Sequence, residues 1–251
     1  MTDDSLRSFM GYHPRFALAY SGGTDSAFLL HSAVEYGADV LPVFAMTPFC
    51  TDIEMEEARN LAAAEGLRLT VVNVDTLSDP GIRANGPDRC YLCKRMIFSA
   101  VCEAAMAAGY PEVMDGTNAS DPEDERPGMR AIRELGVISP LRECGITKDD
   151  IRRMSREAGL PTWDRPTNSC LATRVETGTP LSHWILDLVE AAEEKVSDMG
   201  FTGFRIRTDG RKGRLQVTRS QYETAESMWQ EISRELRPMF TETALDEDTR
   251  D

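Results

Sequence analysis

A glycine-rich turn between two apolar runs constrains the fold of this chain more than any other feature. The turn has the sequence SGGTDS and spans residues 21–26. Residues 16–20 before it are typical of a short buried strand, and residues 27–34 after it are typical of an amphipathic helix. Gly22 and Gly23 let the backbone turn sharply and approach a ligand closely, and the first N–H groups of the helix point at the same place. The segment therefore predicts an anion site, with phosphate as the expected anion.

Strand-like and helix-like segments continue to alternate after this turn. The runs ADVLPVFAMT, RLTVVNVD and EVMDGTN predict further strands, and residues 54–66 and 96–109 predict helices that end at glycines. A capping box at Thr147 and Asp150 and a glycine cap at Gly159 predict another helix. The alternation predicts an α/β fold with a parallel sheet and helices on both faces, in which ligands bind beyond the carboxyl ends of the strands.

The last part of the chain has a different pattern. A predicted helix over residues 181–199 is followed by two predicted strands, GFRIRT and RLQVTR, and by a helix over residues 221–236. The acidic end, TETALDEDTRD, is typical of a frayed tail. The sequence therefore predicts a nucleotide-binding domain over residues 1–178, which contains all six cysteines, and a small α+β domain over residues 179–251.

The charge and the cysteine content exclude several classes of protein. The formal net charge is −14 at pH 7, and an acidic surface repels a phosphate backbone, so long nucleic acids are not expected as partners. No apolar run approaches the roughly 18 residues of a membrane span, and the polar start MTDDSLRSFM lacks the features of a signal peptide. Six cysteines without a secretion signal predict reduced thiols or metal ligands and a cytoplasmic location.

The SGGTDS turn differs from the common phosphate-binding loop, GxxxxGK[ST], because no lysine follows its glycines. Its pattern SGGxDS resembles the PP-loop of ATP pyrophosphatases, which cleave ATP between the α- and β-phosphates. The resemblance implies that Asp25 lies near Mg²⁺ or the ribose and that the pyrophosphate of ATP is bound by Ser21, Gly22, Gly23, Asp25 and Ser26. A turn of the same composition without a ligand is the alternative.

Two further segments extend this nucleotide site. MDGTNASD follows the fourth predicted strand and offers Asp115, Asn118 and Asp121 at its carboxyl end, with Asn118 as a predicted ATP ligand. DERPGMRAIRELGVISPL resembles the segment that closes over ATP in PP-loop proteins, with Arg126 as its phosphate-facing cation. Loops of this composition are common, but their order after SGGTDS supports an ATP site.

Three of the six cysteines occur in settings that favour chemistry. RCYLCKRM places Cys90 and Cys93 in a CxxC pair just before the helix predicted from residue 96, and NSCLATR places Cys170 close to Arg174. A thiol beside an arginine is stabilised as the nucleophilic thiolate. The other cysteines are expected to be small buried hydrophobic residues, namely Cys50, Cys102 and Cys144.

Two sulfurs at CxxC spacing and a third from far along the chain suit a metal site. Three thiolates without an evident fourth ligand suit a [4Fe–4S] cluster with one open iron. A zinc site that recruits Cys102 or Cys144 stays open. A redox-active CxxC pair is disfavoured, because redox pairs of this kind follow the first strand of a thioredoxin-like unit.

The motifs SGGTDS, DGTNASD, RPGMRA, NSCLATR and FRIRTDGRKGRLQV occur in the order seen in LarE proteins, and the resemblance spans residues 16–236. LarE proteins are ATP-dependent sulfur transferases that build the nickel-pincer nucleotide cofactor of lactate racemase. The resemblance implies adenylylation of a carboxylate of pyridinium-3,5-biscarboxylic acid mononucleotide, with release of pyrophosphate. Sulfur then displaces AMP and leaves a thiocarboxylate. A homo-oligomer is also implied, with a hexamer as the expected state.

The cysteines distinguish two kinds of LarE protein. In members with one cysteine at the position of Cys170, that residue is sacrificed and becomes dehydroalanine. The additional Cys90 and Cys93 resemble the variant whose three cysteines hold a [4Fe–4S] cluster. The resemblance thus implies Cys170 as the catalytic residue and Cys90, Cys93 and Cys170 as cluster ligands, with sacrifice of Cys170 as the alternative. The sequence RTDG stands where the family pattern has histidines after an arginine pair.

The implied substrate, with one phosphate and two carboxylates, requires a cationic pocket on this acidic protein. Arg205 and Arg207 stand two apart on a predicted strand, so their side chains share a face and can both bind the phosphate. The predicted domain over residues 179–251 is therefore assigned binding of the substrate phosphate, together with oligomerisation. Lys94 and Arg174 lie near cysteines in the sequence and are predicted to bind the carboxylates or the phosphoryl charge. Two exposed strand arginines without a ligand are the alternative for Arg205 and Arg207.

Three other functions fit parts of the sequence. A PP-loop tRNA thiolase uses the same adenylylation and sulfur chemistry, but the acidic charge disfavours binding of a polynucleotide. An amide-forming PP-loop synthetase leaves the three cysteines unused. A non-catalytic nucleotide- or metal-binding module does not release pyrophosphate from ATP.

Overall fold

The computed structural model of the chain describes residues 2–122, 127–166 and 169–250. The chain forms two compact units. The first comprises Met1–Thr76 and Cys90–Asn168, and the second comprises Leu77–Arg89 and Ser169–Asp251. The second unit thus includes a segment from the middle of the chain, whereas the sequence-based division has one boundary, at residue 178. The roles assigned to the two predicted domains stay predictions.

A four-stranded parallel sheet forms the centre of the first unit, with the strand order β3-β2-β1-β4. Its strands are β1 (Arg15–Ala19), β2 (Asp39–Met46), β3 (Thr70–Asn73) and β4 (Val113–Met114). Parallel neighbours need crossover connections, which here are helical and cover the faces of the sheet. The predicted α/β fold with a parallel sheet is confirmed.

Eleven α-helices are present in the described residues of the two units. In chain order they are α1 (Thr2–Tyr12), α2 (Thr24–Glu35), α3 (Asp52–Ala64), α4 (Pro80–Arg83), α5 (Arg89–Ala107), α6 (Pro127–Glu134), α7 (Pro140–Glu143), α8 (Lys148–Glu157), α9 (His183–Asp198), α10 (Tyr222–Ser227) and α11 (Trp229–Leu236). The predicted capping box of Thr147 and Asp150 is present at the start of α8. No helix in the described ranges combines the length and apolar character that a membrane span needs.

Side chains of β1 alternate between two cores, one on each face of the sheet. Phe16 and Leu18 pack in one cluster with Leu29 of α2. Ala17 packs in the other cluster with Phe98 of α5. This period of two is the reason why β1 contains no polar residue between Phe16 and Ala19, since both of its faces are covered.

Helix α5 begins earlier than predicted. The expectation that the CxxC pair precedes this helix is wrong, because α5 starts at Arg89 and contains both Cys90 and Cys93. The Gly86–Pro87 dipeptide breaks the chain just upstream, and none of the residues of RCYLCKRM opposes a helix.

Gly22 explains why the turn after β1 requires glycine. Its φ is +71°, and a Cβ built on it lies 2.9 Å from the Cβ atom and 3.0 Å from the Cα atom of Ala58. We expect Gly22→Ala to lower the free energy of unfolding by about 2–4 kcal/mol, because the left-handed φ and the overpacking against α3 both cost free energy. Urea denaturation measures the change.

Gly37 offers the matched control for this variant. Its φ is +79°, and apart from its chain neighbours no heavy atom of the described residues lies within 4 Å of a Cβ built on it. Gly37→Ala is therefore expected to cost only the conformational part, about 1–2 kcal/mol. Equal losses in the two variants would contradict the close contact between Gly22 and Ala58.

The second unit contains a three-stranded sheet with the order β5-β6-β7. Its strands are β5 (Arg205–Thr208), β6 (Lys212–Gln216) and β7 (Glu242–Leu245). The first two pair antiparallel, as the predicted hairpin requires, and β7 pairs parallel to β6. Val196 of α9, Ile206 and Leu215 belong to the buried core of this unit. The small C-terminal α+β part is therefore confirmed.

Two expectations for the end of the chain are wrong. The acidic end is not wholly a frayed tail, because Glu242–Leu245 form β7. This strand adjoins a basic one: Lys212 Nζ lies 2.6 Å from Glu242 Oε2, and opposite charges stabilise the pairing. The single helix predicted over residues 221–236 is two helices, α10 and α11, which meet at Met228.

Candidate active site

The SGGTDS turn connects the carboxyl end of β1 to α2. The hydroxyl of Ser26 donates to the carbonyl oxygen of Gly23 at 3.1 Å and lies 3.1 Å from the hydroxyl oxygen of Ser21. Gly23 is the N-cap of α2, and among the described residues no side-chain hydrogen bond caps the helix there. The first N–H groups of α2 are thus available to an anion, as a phosphate-binding loop requires. Binding of ATP by Ser21, Gly22, Gly23 and Ser26 stays a prediction.

Asp25 is held by a lysine that the sequence pattern does not single out. Lys148 Nζ donates to Asp25 Oδ1 at 2.6 Å, although the two residues are 123 positions apart. Lys148 is the first residue of α8, which packs on α2. A carboxylate and an ammonium at one loop offer a ligand for a cation and a donor for a phosphate.

The loop after β4 approaches the same turn. A Cβ built on Gly116 lies 2.9 Å from the backbone nitrogen of Ser26, so the two strand-end loops are in close contact. Asn118 is buried, and its Oδ1 accepts a hydrogen bond from the N–H of Ser120 at 2.8 Å. Ser120 Oγ in turn accepts from the N–H of Lys148 at 3.0 Å. This network brings β1, β4 and the start of α8 to one edge of the sheet.

The carboxylates of this loop bind groups of the protein. Asp115 Oδ1 accepts from the hydroxyl of Ser139 at 2.7 Å, and Asp121 Oδ2 accepts from the N–H of Asn118 at 3.1 Å. Both residues therefore shape the loop. Arg126, the predicted phosphate-facing cation, lies outside the described residues.

Cys90 and Cys93 share one face of α5 near its start, because residues three apart on a helix are neighbours. Cys90 is exposed and Cys93 is half-buried. Lys94 packs its side chain over Gly128 of α6, where a Cβ would lie 2.5 Å from Lys94 Cδ. Its predicted contact with the substrate stays a prediction.

The other three thiols of the first unit are affected by burial. Burial raises the pKa of the thiols of Cys50, Cys102 and Cys144, which makes them poor nucleophiles at neutral pH. Across residues 2–122, 127–166 and 169–250, no three His, Cys, Asp or Glu side chains come together as a metal site. The ligand set Cys90, Cys93 and Cys170 stays a prediction of the sequence.

Four arginines of the second unit lie within electrostatic reach of one another, namely Arg174, Arg205, Arg207 and Arg250. Burial lowers the pKa of Arg205 to about 10, and the charges of the other three arginines act in the same direction. In the described part of the chain, Arg205 Nε is buried without a hydrogen-bond partner. A desolvated donor among like charges is stabilised by an anion, so this group forms a candidate anion site.

Arg250 was missed by the sequence analysis, because it lies in the segment predicted to be a frayed tail. Its guanidinium donates to the carbonyl oxygens of Gly203 and Phe204, at 3.2 Å for the second, which fixes it beside the start of β5. Burial, followed by the charge of Arg174, lowers the pKa of Arg250.

The backbone around Cys170 is attached to these arginines. Arg174 is 5% exposed; its Nε lies 3.0 Å from Glu193 Oε1, and its Nη1 donates to the carbonyl oxygen of Cys170 at 3.4 Å. Arg207 Nη1 donates to the carbonyl oxygen of Thr173 at 3.1 Å. Cys170 itself is exposed at the start of the turn Leu171–Arg174. An exposed thiol and an anion site therefore share one stretch of backbone.

Comparison with known proteins identifies relatives of the chain. No family model matches the chain. A pyridinium-3,5-bisthiocarboxylic acid mononucleotide synthase of Lactiplantibacillus plantarum is 34% identical over 205 residues, 81% of this chain and 74% of that protein. An uncharacterized protein of Synechocystis is 33% identical over 219 residues, 87% of this chain and 82% of that protein. A tRNA-specific 2-thiouridylase of Clostridium botulinum is 25% identical over 181 residues, 59% of this chain and 51% of that protein.

The two relatives with stated activities both introduce sulfur, according to their names. The predicted enzyme class, a sulfurtransferase, is confirmed. The extent of the match to the Lactiplantibacillus synthase shows the family. The chain therefore belongs to the LarE family of pyridinium-3,5-bisthiocarboxylic acid mononucleotide synthases, a branch of the PP-loop ATP pyrophosphatases.

Proposed function

We propose that this protein adenylylates a carboxylate of pyridinium-3,5-biscarboxylic acid mononucleotide with ATP and Mg²⁺ and converts it into a thiocarboxylate. The product serves the biosynthesis of the nickel-pincer nucleotide cofactor of lactate racemase. One observation carries the proposal: the exposed thiol of Cys170 and the arginine anion site are held by the same backbone. A phosphate bound by Arg205 and Arg207 lets the rest of the mononucleotide extend toward that thiol.

The first step uses the ATP site of the first unit. A carboxylate oxygen of the substrate attacks the α-phosphorus of ATP, the bond to the β-phosphate breaks, and pyrophosphate leaves. The uncapped N–H groups of α2 stabilise the negative charge of the departing pyrophosphate. Asp25 would hold Mg²⁺, which supplies charge neutralisation to the phosphates.

The second step uses Cys170. Its thiolate attacks the carbonyl carbon of the acyl-adenylate, a thioester forms, and AMP leaves. Loss of the Cα proton of Cys170 then breaks its Cβ–S bond, so that the sulfur leaves as the thiocarboxylate and dehydroalanine remains. The step needs no oxidant or reductant, because the cysteine supplies the sulfur.

Delivery of sulfur through a [4Fe–4S] cluster on Cys90, Cys93 and Cys170 is a separate proposal that rests on the sequence. Anaerobic purification followed by iron and sulfide analysis tests it, with Cys90→Ala and Cys93→Ala as the variants that lose iron. Protein that contains no iron would contradict the cluster route and favour the route in which Cys170 is sacrificed.

The anion site leads to a prediction for Arg205. Replacing Arg205 by Met should weaken binding of the mononucleotide by about 1.5–3 kcal/mol, because a hydrogen bond to a charged group is lost. The pKa of Arg205 lies near 10 in the folded protein, below its usual value, so the unfolded chain holds that proton more tightly. Removing the charge should therefore stabilise the ligand-free protein at neutral pH. Calorimetric titration and thermal unfolding measure the two effects.

Binding to the wild-type protein should also decline as the pH rises through about 10, where Arg205 loses its charge. Arg234→Met is the matched control, since Arg234 is an exposed arginine of α11 paired with Glu231 at 4.0 Å. An Arg205→Met variant that binds ATP as weakly as it binds the mononucleotide would place Arg205 in folding or in the ATP site instead.

Incubation of the wild-type protein with ATP, Mg²⁺ and the mononucleotide tests the proposed function, with mass spectrometry of the nucleotide products. The expected result is a thiocarboxylate together with AMP and pyrophosphate. Thiolation of tRNA in place of the mononucleotide would favour the thiolase alternative, which the net charge of −14 disfavours. The proposal also includes a cytoplasmic homo-oligomer, with a hexamer as the expected state, which light scattering measures.

A further inference from the structure

Asn85 stands out among the described residues of the second unit. It is the one non-glycine residue with a positive φ there, +54°, and its side chain is 1% exposed. A non-glycine residue in this conformation costs free energy and persists only where its surroundings hold it. The segment that contains it, Leu77–Arg89, precedes the rest of its unit by a long stretch of chain.

The side chain of Asn85 binds the chain that follows Cys170. Its amide nitrogen donates to the carbonyl oxygens of Glu176 at 2.9 Å and Thr179 at 3.0 Å. Its backbone carbonyl oxygen accepts from the N–H of Gly178 at 2.9 Å. Buried backbone groups that are left without partners are costly, so these contacts hold residues 176–179 in place.

Arg89 connects Asn85 to the backbone near Cys170. Its Nη1 donates to Asn85 Oδ1 at 2.6 Å and to the carbonyl oxygen of Ala172 at 2.7 Å. Ala172 lies two residues after Cys170 in the turn Leu171–Arg174. Asn85 and Arg89 therefore hold the backbone on the carboxyl side of Cys170. Arg174, which is paired with Glu193, binds the carbonyl oxygen of Cys170 itself.

We propose that Asn85 and Arg89 are positioning residues for Cys170, which hold its thiol where it meets the activated carboxylate. The inference rests on the proposed function, in which Cys170 supplies the sulfur. Sulfur transfer is sensitive to such positioning, because a displacement of about 1 Å of a reacting group can slow a reaction about 100-fold. Adenylylation does not involve Cys170, so it is expected to be insensitive to the pair.

The choice of variants separates the hydrogen bonds from the backbone conformation. Asn85→Gly adopts the positive φ without strain but has no side chain, and Asn85→Asp keeps the shape but cannot donate to carbonyl oxygens. Arg89→Met removes the second half of the pair, and Arg89→Lys retains a donor. Ser182→Ala is the control for a general loss of stability in this unit, since it removes the N-cap that Ser182 provides to α9.

The experiment measures pyrophosphate release and thiocarboxylate formation in the same reactions, together with the rate at which iodoacetamide modifies Cys170 between pH 6 and 10. We expect Asn85→Gly, Asn85→Asp and Arg89→Met to lower sulfur transfer by about 10- to 100-fold with pyrophosphate release unchanged, and to change the rate of Cys170 modification. Arg89→Lys should recover part of the transfer. Ser182→Ala should leave both activities in the wild-type ratio.

Two results would overturn the inference. One is wild-type sulfur transfer in Asn85→Gly, and the other is an equal loss of pyrophosphate release and sulfur transfer in Asn85→Gly. Failure of the proposed function has a different signature, because Cys170→Ala would then retain sulfur transfer whatever the Asn85 variants do. Loss of transfer in Cys170→Ala with normal transfer in Asn85→Gly would refute this inference alone.

Discussion

Replacing Asp25 by Asn is expected to slow pyrophosphate release by about 100- to 1,000-fold, the effect that the loss of one preorganised group has in a site that stabilises a developing oxyanion. Asp25 lies in the first turn of α2, and Asn keeps its shape but not its charge. The turn loses its carboxylate ligand for Mg²⁺, and Lys148 loses the negative charge of the partner whose Oδ1 lies 2.6 Å from its ammonium nitrogen. The rate of pyrophosphate release at saturating ATP, followed across a Mg²⁺ titration, measures the effect.

Asp39→Asn is the matched control for this variant. Asp39 begins β2 and is in register with Arg15, the first residue of β1, so it lies at the edge of the sheet opposite to the SGGTDS turn. Its ion pair with Arg15, at 3.0 Å, is exposed and contributes little to stability. A wild-type rate in Asp25→Asn would remove Asp25 from the ATP site. Formation of ADP and phosphate by the wild-type protein would contradict cleavage between the α- and β-phosphates.

Replacing Cys170 by Ala should abolish thiocarboxylate formation while pyrophosphate release in the presence of the mononucleotide continues. The thiol is the atom that takes the acyl group, whereas adenylylation uses the turn and the loops of the first unit. The backbone of residue 170 stays held, because Arg174 and Thr173 bind its carbonyl oxygen. A pyrophosphate assay and mass spectrometry of the nucleotide, performed on one reaction, separate the two steps.

Cys102→Ala and Cys144→Ala are the controls, since burial raises the pKa of both thiols, and we expect wild-type sulfur transfer in each. Loss of pyrophosphate release in Cys170→Ala would show that the residue supports the fold of the ATP site instead. The mass of residue 170 after turnover distinguishes the two sulfur routes. Dehydroalanine excludes the cluster route, and intact Cys170 after repeated turnovers, with iron bound, contradicts the sacrificial one.

Local sequence patterns predicted those elements whose own residues determine the structure. β1 is one example, because a short apolar run is enough to indicate a strand buried on both faces. The capping box of Thr147 and Asp150 is another, because four consecutive residues determine this helix start. β7 has no such signal. It is a strand because the basic β6 lies beside it and pairs with its acidic residues, which is a contact between distant parts of the chain. α5 begins before its apolar period does, so the sequence placed its start too late.

The residues of the candidate site also include some that local sequence predicts and some that it does not. The glycines of SGGTDS and the spacing of Arg205 and Arg207 are local, and the sequence singled them out. Lys148 and Asn85 were missed, because each is an ordinary polar residue until packing brings it to Asp25 or to the chain after Cys170. Their roles depend on contacts across 123 and 91 positions of sequence, which no local pattern contains.

The central claim is that ATP activates a carboxylate of the mononucleotide as an acyl-adenylate before sulfur replaces AMP. The most direct test uses a mononucleotide whose carboxylates carry a heavy oxygen isotope, incubated with the wild-type protein, ATP and Mg²⁺. A labelled carboxylate oxygen that attacks the α-phosphorus stays on AMP when sulfur takes its place at the carbonyl carbon. The account therefore predicts one heavy oxygen atom in AMP for each thiocarboxylate formed. Thiocarboxylate formed with unlabelled AMP, or with ADP as the nucleotide product, would contradict it.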